Sequence, residues 1–248
     1  KLNKDMISID GQVENIPMTT EGFGGPTFRE RQKGVKYKDS YVEGPWIMKR
    51  NKRYYLLYAA GGVPEHISYS IAKKPRGPWK YMGQIMPLSN TGSFTNHCGV
   101  ADFKGHSYFM YHTGKLPRGG GFGRSVAIEE FKYNADGTFP TILPTDKGVS
   151  PIGTMNPRER VEAETMAFSK GVKVESNDET GVYVCDIHRG DSMIVRVLDF
   201  GKTSPSTFTA SVASALQGGI MDVRIDSSHG PLICTLNVPH TGGWEKWQ

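Results

Sequence analysis

The segment Arg50-Asn51-Lys52-Arg53-Tyr54-Tyr55-Leu56-Leu57-Tyr58 returns 53 residues later as Phe103-Lys104-Gly105-His106-Ser107-Tyr108-Phe109-Met110-Tyr111. In both copies a short polar tip separates runs rich in aromatic and β-branched residues, the pattern of a hairpin. The spacing predicts one hairpin from 46–49 into 54–59 and another from 99–103 into 107–112. Each is followed by a third strand, 67–72 and 125–130, then a turn and a fourth strand. Four strands recurring every ~40–50 residues mark a β-propeller blade, which buries its faces only against neighbouring blades. Residues 1–150 hold about two and a half such units, whereas closed propellers typically have four to eight. The expectation is that this half carries later blades of a propeller whose first blades precede it.

Residues 144–160 read as a linker. Beyond it the chain alternates in the manner of a half-wet sheet. Phe208, Ala210 and Val212 share one face, as do Met221, Val223 and Ile225, and then Leu232, Cys234 and Leu236. This predicts a β-sandwich over 158–248 that stops in mid-pattern at Trp247-Gln248. No long stretch of apolar residues at helical spacing is found. The fold expected is therefore all-β: a partial propeller over 1–150 followed by a partial sandwich.

Charge divides along the same line. Residues 1–150 hold 21 basic and 13 acidic side chains, and 151–248 hold 9 and 12. The basic excess sits at turns (Lys49, Arg50, Lys52, Arg53) and in a loop (Arg29, Arg31, Lys33, Lys36, Lys38). No basic helix or nucleic-acid motif accompanies it, so it reads as a solvated face with no nucleic-acid partner. No apolar run approaches the ~18 residues of a membrane helix, and no signal-peptide pattern follows Lys1. Cys98, Cys185 and Cys234 form neither a disulfide framework nor a zinc motif. Cys185 and Cys234 either pair or remain two buried thiols.

Several kinds of chemistry are excluded. The Gly119-Gly120-Gly121-Phe122-Gly123-Arg124 stretch lacks the spacing and the following helix of a phosphate loop, and reads as a wide, flexible propeller loop. There is no Gly-x-Ser-x-Gly elbow and no His-Glu-x-x-His helix. Among the carboxylates, Glu43 stands out in Tyr41-Val42-Glu43-Gly44-Pro45-Trp46, just before the first strand of a blade. First strands line a propeller's channel. A carboxyl held there among Tyr41, Pro45 and Trp46 would be withdrawn from water, as a general acid near neutral pH requires.

Tyr41-Val42-Glu43-Gly44-Pro45-Trp46 with its Tyr-Tyr-Leu-Leu-Tyr hairpin, Asn96-His97-Cys98-Gly99 opening the next blade, and Arg124-Ser125-Val126 together resemble glycoside hydrolase family 43. Residues from about 160 resemble a family 6 carbohydrate-binding module, through Arg160-Val161-Glu162-Ala163-Glu164, Gly190-Asp191, Asp199-Phe200-Gly201 and Pro239-His240-Thr241-Gly242-Gly243-Trp244. The resemblance implies an inverting exo-hydrolase with a five-bladed propeller. It would act on plant cell-wall polysaccharide (arabinoxylan, xylan), be secreted or periplasmic, and need no organic cofactor.

By the same resemblance Glu43 matches the general acid and Arg124 a channel arginine on the terminal sugar. His97 matches a central histidine, often close to a calcium or an ordered water, and Trp46 joins the substrate-contacting set. Trp244 matches a sugar-stacking tryptophan, although Asp186 stands where its aromatic partner would. Glu162 and Glu164 match carboxylates that hold a structural calcium. The family's base and tuning aspartates would lie upstream, since Lys1 to Met6 resembles the end of the second blade; these 248 residues alone should then not turn over. The activity implied is α-L-arabinofuranosidase, with β-xylosidase, or a non-catalytic carbohydrate-binding protein, as alternatives.

Overall fold

Both repeat copies turn through left-handed tips. Asn51 and Lys52 have φ of 48° and 63°, and Lys104 and Gly105 of 47° and 85°. Two consecutive positive φ values give the type I′ turn, whose twist matches that of the flanking strands. In the computed structural model, which describes residues 2–25 and 40–248, the tips join β1 (Tyr41–Arg50) to β2 (Arg53–Ala60) and a later, equivalent pair. The basic loop residues Arg29, Arg31, Lys33, Lys36 and Lys38 lie outside the described residues.

The first blade continues through β3 (His66–Ala72) and β4 (Lys80–Met86) into one antiparallel four-stranded meander. The second consists of β5 (Cys98–Phe103), β6 (His106–Thr113) and β7 (Ser125–Phe131). Its expected fourth strand is not formed. After β7 the chain turns at Asn134–Gly137 and crosses to the first blade instead. There Tyr55 donates to Gly137 O, Phe139 N–H donates to Tyr69 Oη, and Ile142 N–H donates to Ile85 O.

The repeat explains how the blades stack. Tyr55 and Leu57 of β2 face a core that also holds Tyr69, Ile85, Val100, Phe109, Tyr111 and Phe131, so this core lies between the blades. The alternate face of β2, Leu56 and Tyr58, packs with Trp79 and with Phe23 from a one-turn helix α1 (Thr20–Phe23). In the 53-residue alignment Leu56 and Tyr58 correspond to Phe109 and Tyr111. The same register therefore points toward the preceding element in both blades, as stacked blades require. Thr19 caps α1 by accepting from the Gly22 N–H, and Tyr58 donates to Phe23 O.

The chain divides into two units, Lys1–Ser150 and Pro151–Gln248. The presumed linker is thus shared out: Thr145 is fastened to Glu129 in the first unit, and Met155 bridges Leu198 in the second. The second unit holds β8 (Phe168–Lys170), β9 (Lys173–Asn177), β10 (Gly181–Cys185), β11 (Ser192–Ile194), β12 (Gly219–Arg224) and β13 (Leu232–Val238). They form three two-stranded antiparallel sheets: β9 with β10, β8 with β11, and β12 with β13.

The predicted alternation holds in β12 and β13, where Met221, Val223, Cys234 and Leu236 are half-buried on one face. Three expectations fail. Leu232, expected on the face of Cys234 and Leu236, is 50% exposed. Ile225 falls beyond a bulge at Val223/Arg224 and outside β12. Residues 208–213 make no strand; among the described residues their one ladder-like partner is Gln248, which exchanges hydrogen bonds with Val212. Cys98, Cys185 and Cys234 are half-buried thiols rather than a disulfide. Among the described residues no helix is long and apolar enough to cross a membrane.

Candidate active site

Antiparallel order gathers the start of β1, the end of β2, the start of β3 and the start of β5 at one end of the blades. Glu43 projects there from an irregular stretch of β1. The pairing slips between Tyr41 and Glu43 and again between Glu43 and Trp46. Such bulges re-aim a side chain out of the regular alternation. Gly44 has φ of 62°, and a Cβ on it would come 2.8 Å from two carbons of the His97 ring. Glycine is thus required twice at this position, by backbone conformation and by the close approach of the imidazole.

His97 Nε2 lies 3.7 Å from Glu43 Oε1. Glu65, just before β3, completes a group in which one ligand atom from each of Glu43, Glu65 and His97 lies within 4.8 Å of the others. Glu65 is only 5% exposed. Its Oε2 accepts the Asn96 N–H at 2.7 Å, while its Oε1 and His97 Nε2 are buried without a hydrogen-bond partner among the described residues. Burial, reinforced by the neighbouring charge of Glu43, pushes the Glu65 carboxyl above the usual range; the Asn96 N–H works against this.

His112 backs the group. Its Nδ1 accepts the His97 N–H at 3.2 Å, and the two rings lie 5.2 Å apart. Burial, with Arg124 and His97 nearby, holds the His112 imidazole below its ordinary range, as suits an acceptor nitrogen. Arg124 donates to Thr95 Oγ1 at 3.3 Å, just before the Asn96-His97 pair. Trp46 lies against Gly99, where a Cβ would be 3.6 Å from the indole.

Glu43, His97, Arg124 and Trp46 thus fall in one unit, on adjacent strands and loops of the two blades. The expectation that Glu43 is the withdrawn carboxyl is corrected: its side chain is 54% exposed, and Tyr41 turns away to pack on Phe23 and Tyr58. The withdrawn carboxyl is Glu65. Sequence reading passed over Glu65 and His112 because a Glu in a Pro-Glu-His turn and a His at a strand end both look solvated. The signal that finds them is topological, since hairpin register brings Ala60 opposite His66 beside Tyr41.

The Gly-rich segment also differs from expectation. It is closed by Gly119 N–H to Leu116 O and Gly120 N–H to Gly123 O, and fastened by Ser93 and Thr95 hydroxyls on Gly121 O.

In the second unit Trp244 is 63% exposed on a turn. Tyr183 packs edge-on against Trp247, whose Nε1 donates to Thr180 Oγ1. Asp186 adopts a left-handed φ of 58°. Glu162 immediately precedes a 3-10 turn (Ala163–Thr165) and Glu164 lies within it. Both Glu162 oxygens are engaged by Arg160, at 2.8 and 3.1 Å. The only group of three His, Cys, Asp or Glu ligands found among the described residues is the one around Glu43.

Residues 1–139 match the family model described as glycosyl hydrolases family 43. The chain belongs to this family. Residues 162–248 match that of the family 6 carbohydrate binding module. The chain is 36% identical over 228 residues to the arabinoxylan arabinofuranohydrolase of Paenibacillus polymyxa, covering 83% of this chain and 35% of that protein. The arabinoxylan arabinofuranohydrolase of Bacillus subtilis (strain 168) is also 36% identical over 228 residues, at 83% and 44%.

A solved family 43 arabinoxylan arabinofuranohydrolase from Bacillus subtilis, in complex with cellotetraose, superposes with a TM-score of 0.72 at 31% identity. That match covers 100% of this chain and 50% of the other. The chain therefore spans 35–44% of the length of these two curated relatives and half of the solved chain.

One consequence is thermodynamic. A carboxyl whose folded-state value is raised keeps its proton longer in the folded protein than in the unfolded chain. Stability then falls as pH rises from about 4 through that window. Glu65→Gln preserves an oxygen for the Asn96 N–H and removes the charge. The melting temperature at neutral pH is expected to rise, with a flatter dependence on pH above about 4. A lower melting temperature at pH 7 would show that an ionised Glu65 is stabilising.

Proposed function

We propose that the chain is part of an exo-acting, inverting hydrolase that removes α-L-arabinofuranosyl units from arabinoxylan, with Glu43 as general acid. The observation that carries the reading is Glu43 itself. It is an accessible carboxyl, aimed by a double irregularity in β1 into a group with Glu65, His97 and, nearby, Arg124. The two relatives at 36% identity, both arabinoxylan arabinofuranohydrolases, supply the substrate class.

In this reading Glu43 protonates the departing glycosidic oxygen. The Arg124 guanidinium, an always-charged fork of donors, fixes hydroxyls of the terminal sugar, and His97, held by His112, supports the Glu43 carboxyl. Glu65 is not the base. Inversion needs about 6.5–9.5 Å between the two carboxyls to admit a water, whereas Glu43 and Glu65 come within 4.8 Å. The base and the tuning carboxylate are assigned to residues outside this chain.

The enzyme would meet its polymeric substrate outside the cell. The family 6 region, with Trp244 presented to solvent, would hold the polysaccharide. For calcium, Glu162 is a poor ligand while Arg160 occupies both its oxygens. Glu65 and His97, whose buried Oε1 and Nε2 have no hydrogen-bond partner among the described residues, fit a cation better, and one held there would balance the charge of the two carboxylates.

The test is the anomeric configuration of arabinose released by the full-length protein, followed by NMR from the first turnovers. Inversion is expected. Retention would make the close Glu43–Glu65 pair the reacting couple, and no release of arabinose would refute the activity.

A further inference from the structure

The Gly-rich loop between β6 and β7 presents an aromatic side chain that the mechanism above leaves unused. Phe122 is 77% exposed. Its ring meets that of Phe94 edge-to-face, with centroids 5.0 Å apart and planes at 86°. Gly121 packs its backbone on the Phe94 ring so closely that any Cβ there would overlap it. Ser93 and Thr95, the residues on either side of Phe94, both donate their hydroxyls to Gly121 O, at 3.0 and 2.9 Å. Two strips of backbone are therefore tied together beside the Phe94 ring, which is itself 39% exposed, and the Phe122 ring stands further into water. A large apolar side chain fixed in this way has most of its surface still available for contact.

Its position is that of the candidate site. Phe94 O accepts the Glu65 N–H at 2.9 Å, and Glu65 belongs to the group with Glu43 and His97. Phe94 precedes His97 by three residues, so their Cα atoms are at most about 11 Å apart. Arg124 follows Phe122 by two residues and is anchored on Thr95.

We propose that Phe122, braced by Phe94, is a stacking platform for a backbone sugar ring of the polysaccharide, beside the position where Glu43 acts on the side chain. The inference rests on the reading of this end as a glycosidase site and names one of its substrate contacts. A pyranose ring offers a face of C–H groups to an aromatic ring and hydroxyls around its rim. Phe122, standing in water, supplies the apolar face for such a ring. A furanosyl branch gripped by Arg124 and a backbone ring lying on Phe122 would then be two parts of one substrate.

The test is affinity electrophoresis of the whole 248-residue chain in gels containing soluble arabinoxylan, with Trp244→Ala present throughout to remove the indole of the second unit. Adding Phe122→Ala is expected to weaken retardation roughly two- to tenfold, the range one lost aromatic contact supplies. Phe122→Trp is expected to restore it. Melting temperatures should agree among the variants, since Phe122 is mostly in water. No retardation of the Trp244→Ala chain, retardation indifferent to Phe122→Ala, or failure of Phe122→Trp to restore it would each overturn the platform.

In the full-length protein Phe122→Ala should raise KM more on arabinoxylan than on an aryl arabinofuranoside; an equal rise on both would also overturn it. Phe122-dependent retardation without any arabinose release would refute the proposed activity and leave the platform standing. Normal release with no dependence on Phe122 would refute the platform alone.

Discussion

Glu43→Gln in the full-length protein is expected to lower the rate on natural arabinoxylan about 10²–10⁴-fold, the usual contribution of a general acid. The substitution keeps the size of the side chain beside the His97 ring and removes the transferable proton. A sugar oxygen is a poor leaving group and must be protonated as its bond breaks. A phenolate bearing electron-withdrawing substituents departs without such help. An aryl arabinofuranoside with an acidic phenol should therefore lose far less activity than the polymer. The comparison separates two roles. A Glu43 that only shaped the bulge in β1, or only held the His97 ring, would depress both substrates alike. Equal losses on polymer and aryl glycoside would remove Glu43 from the general-acid role.

What the sequence made legible was whatever depends on a local period. The two hairpin tips, at Asn51-Lys52 and Lys104-Gly105, follow from polar dipeptides between apolar runs. The 53-residue repeat then places Phe109 and Tyr111 in the register of Leu56 and Tyr58. What it hid was set by long-range competition. After the turn at Asn134–Gly137, Phe139 and Ile142 are buried against Tyr69 and Ile85 of the first blade instead of adding a fourth strand to β7. Residues 208–213 alternate well but, among the described residues, have no neighbouring ladder beyond Gln248.

The same distinction governs the site. Glu43, His97 and Arg124 sit in motifs that can be read along the chain. Glu65 and His112 matter through neighbours 31 and 15 residues away: the Asn96 N–H at 2.7 Å in one case and the His97 N–H in the other, both brought there only by register. Exposure misled in both directions, since Glu43 is open and Glu65 closed.

Phe109→Ala is the substitution expected to cost most in stability. Phe109 is 0% exposed and lies in the core between the blades, among residues of β2 to β7 and the crossing segment 139–142. Deleting a buried Phe removes its transfer free energy and leaves a cavity, at about 3–5 kcal/mol. For a unit of this size that is a fall of roughly 6–20 °C in melting temperature. Phe103, at the tip of the same hairpin, is 55% exposed and opposes His106, so Phe103→Ala should change stability by no more than about 0.5 kcal/mol. The pair tests the stacking argument directly. In a blade standing alone, no second blade would cover Phe109 and the two substitutions would cost nearly the same. With the blades stacked, Phe109 carries part of the surface that holds β5 beside β1, and hence His97 beside Glu43. Its loss is therefore expected to lower activity already below the melting transition, through displacement of His97, while Phe103→Ala leaves it unaffected. Similar thermal shifts for the two variants would contradict the assignment of this face to the core between blades.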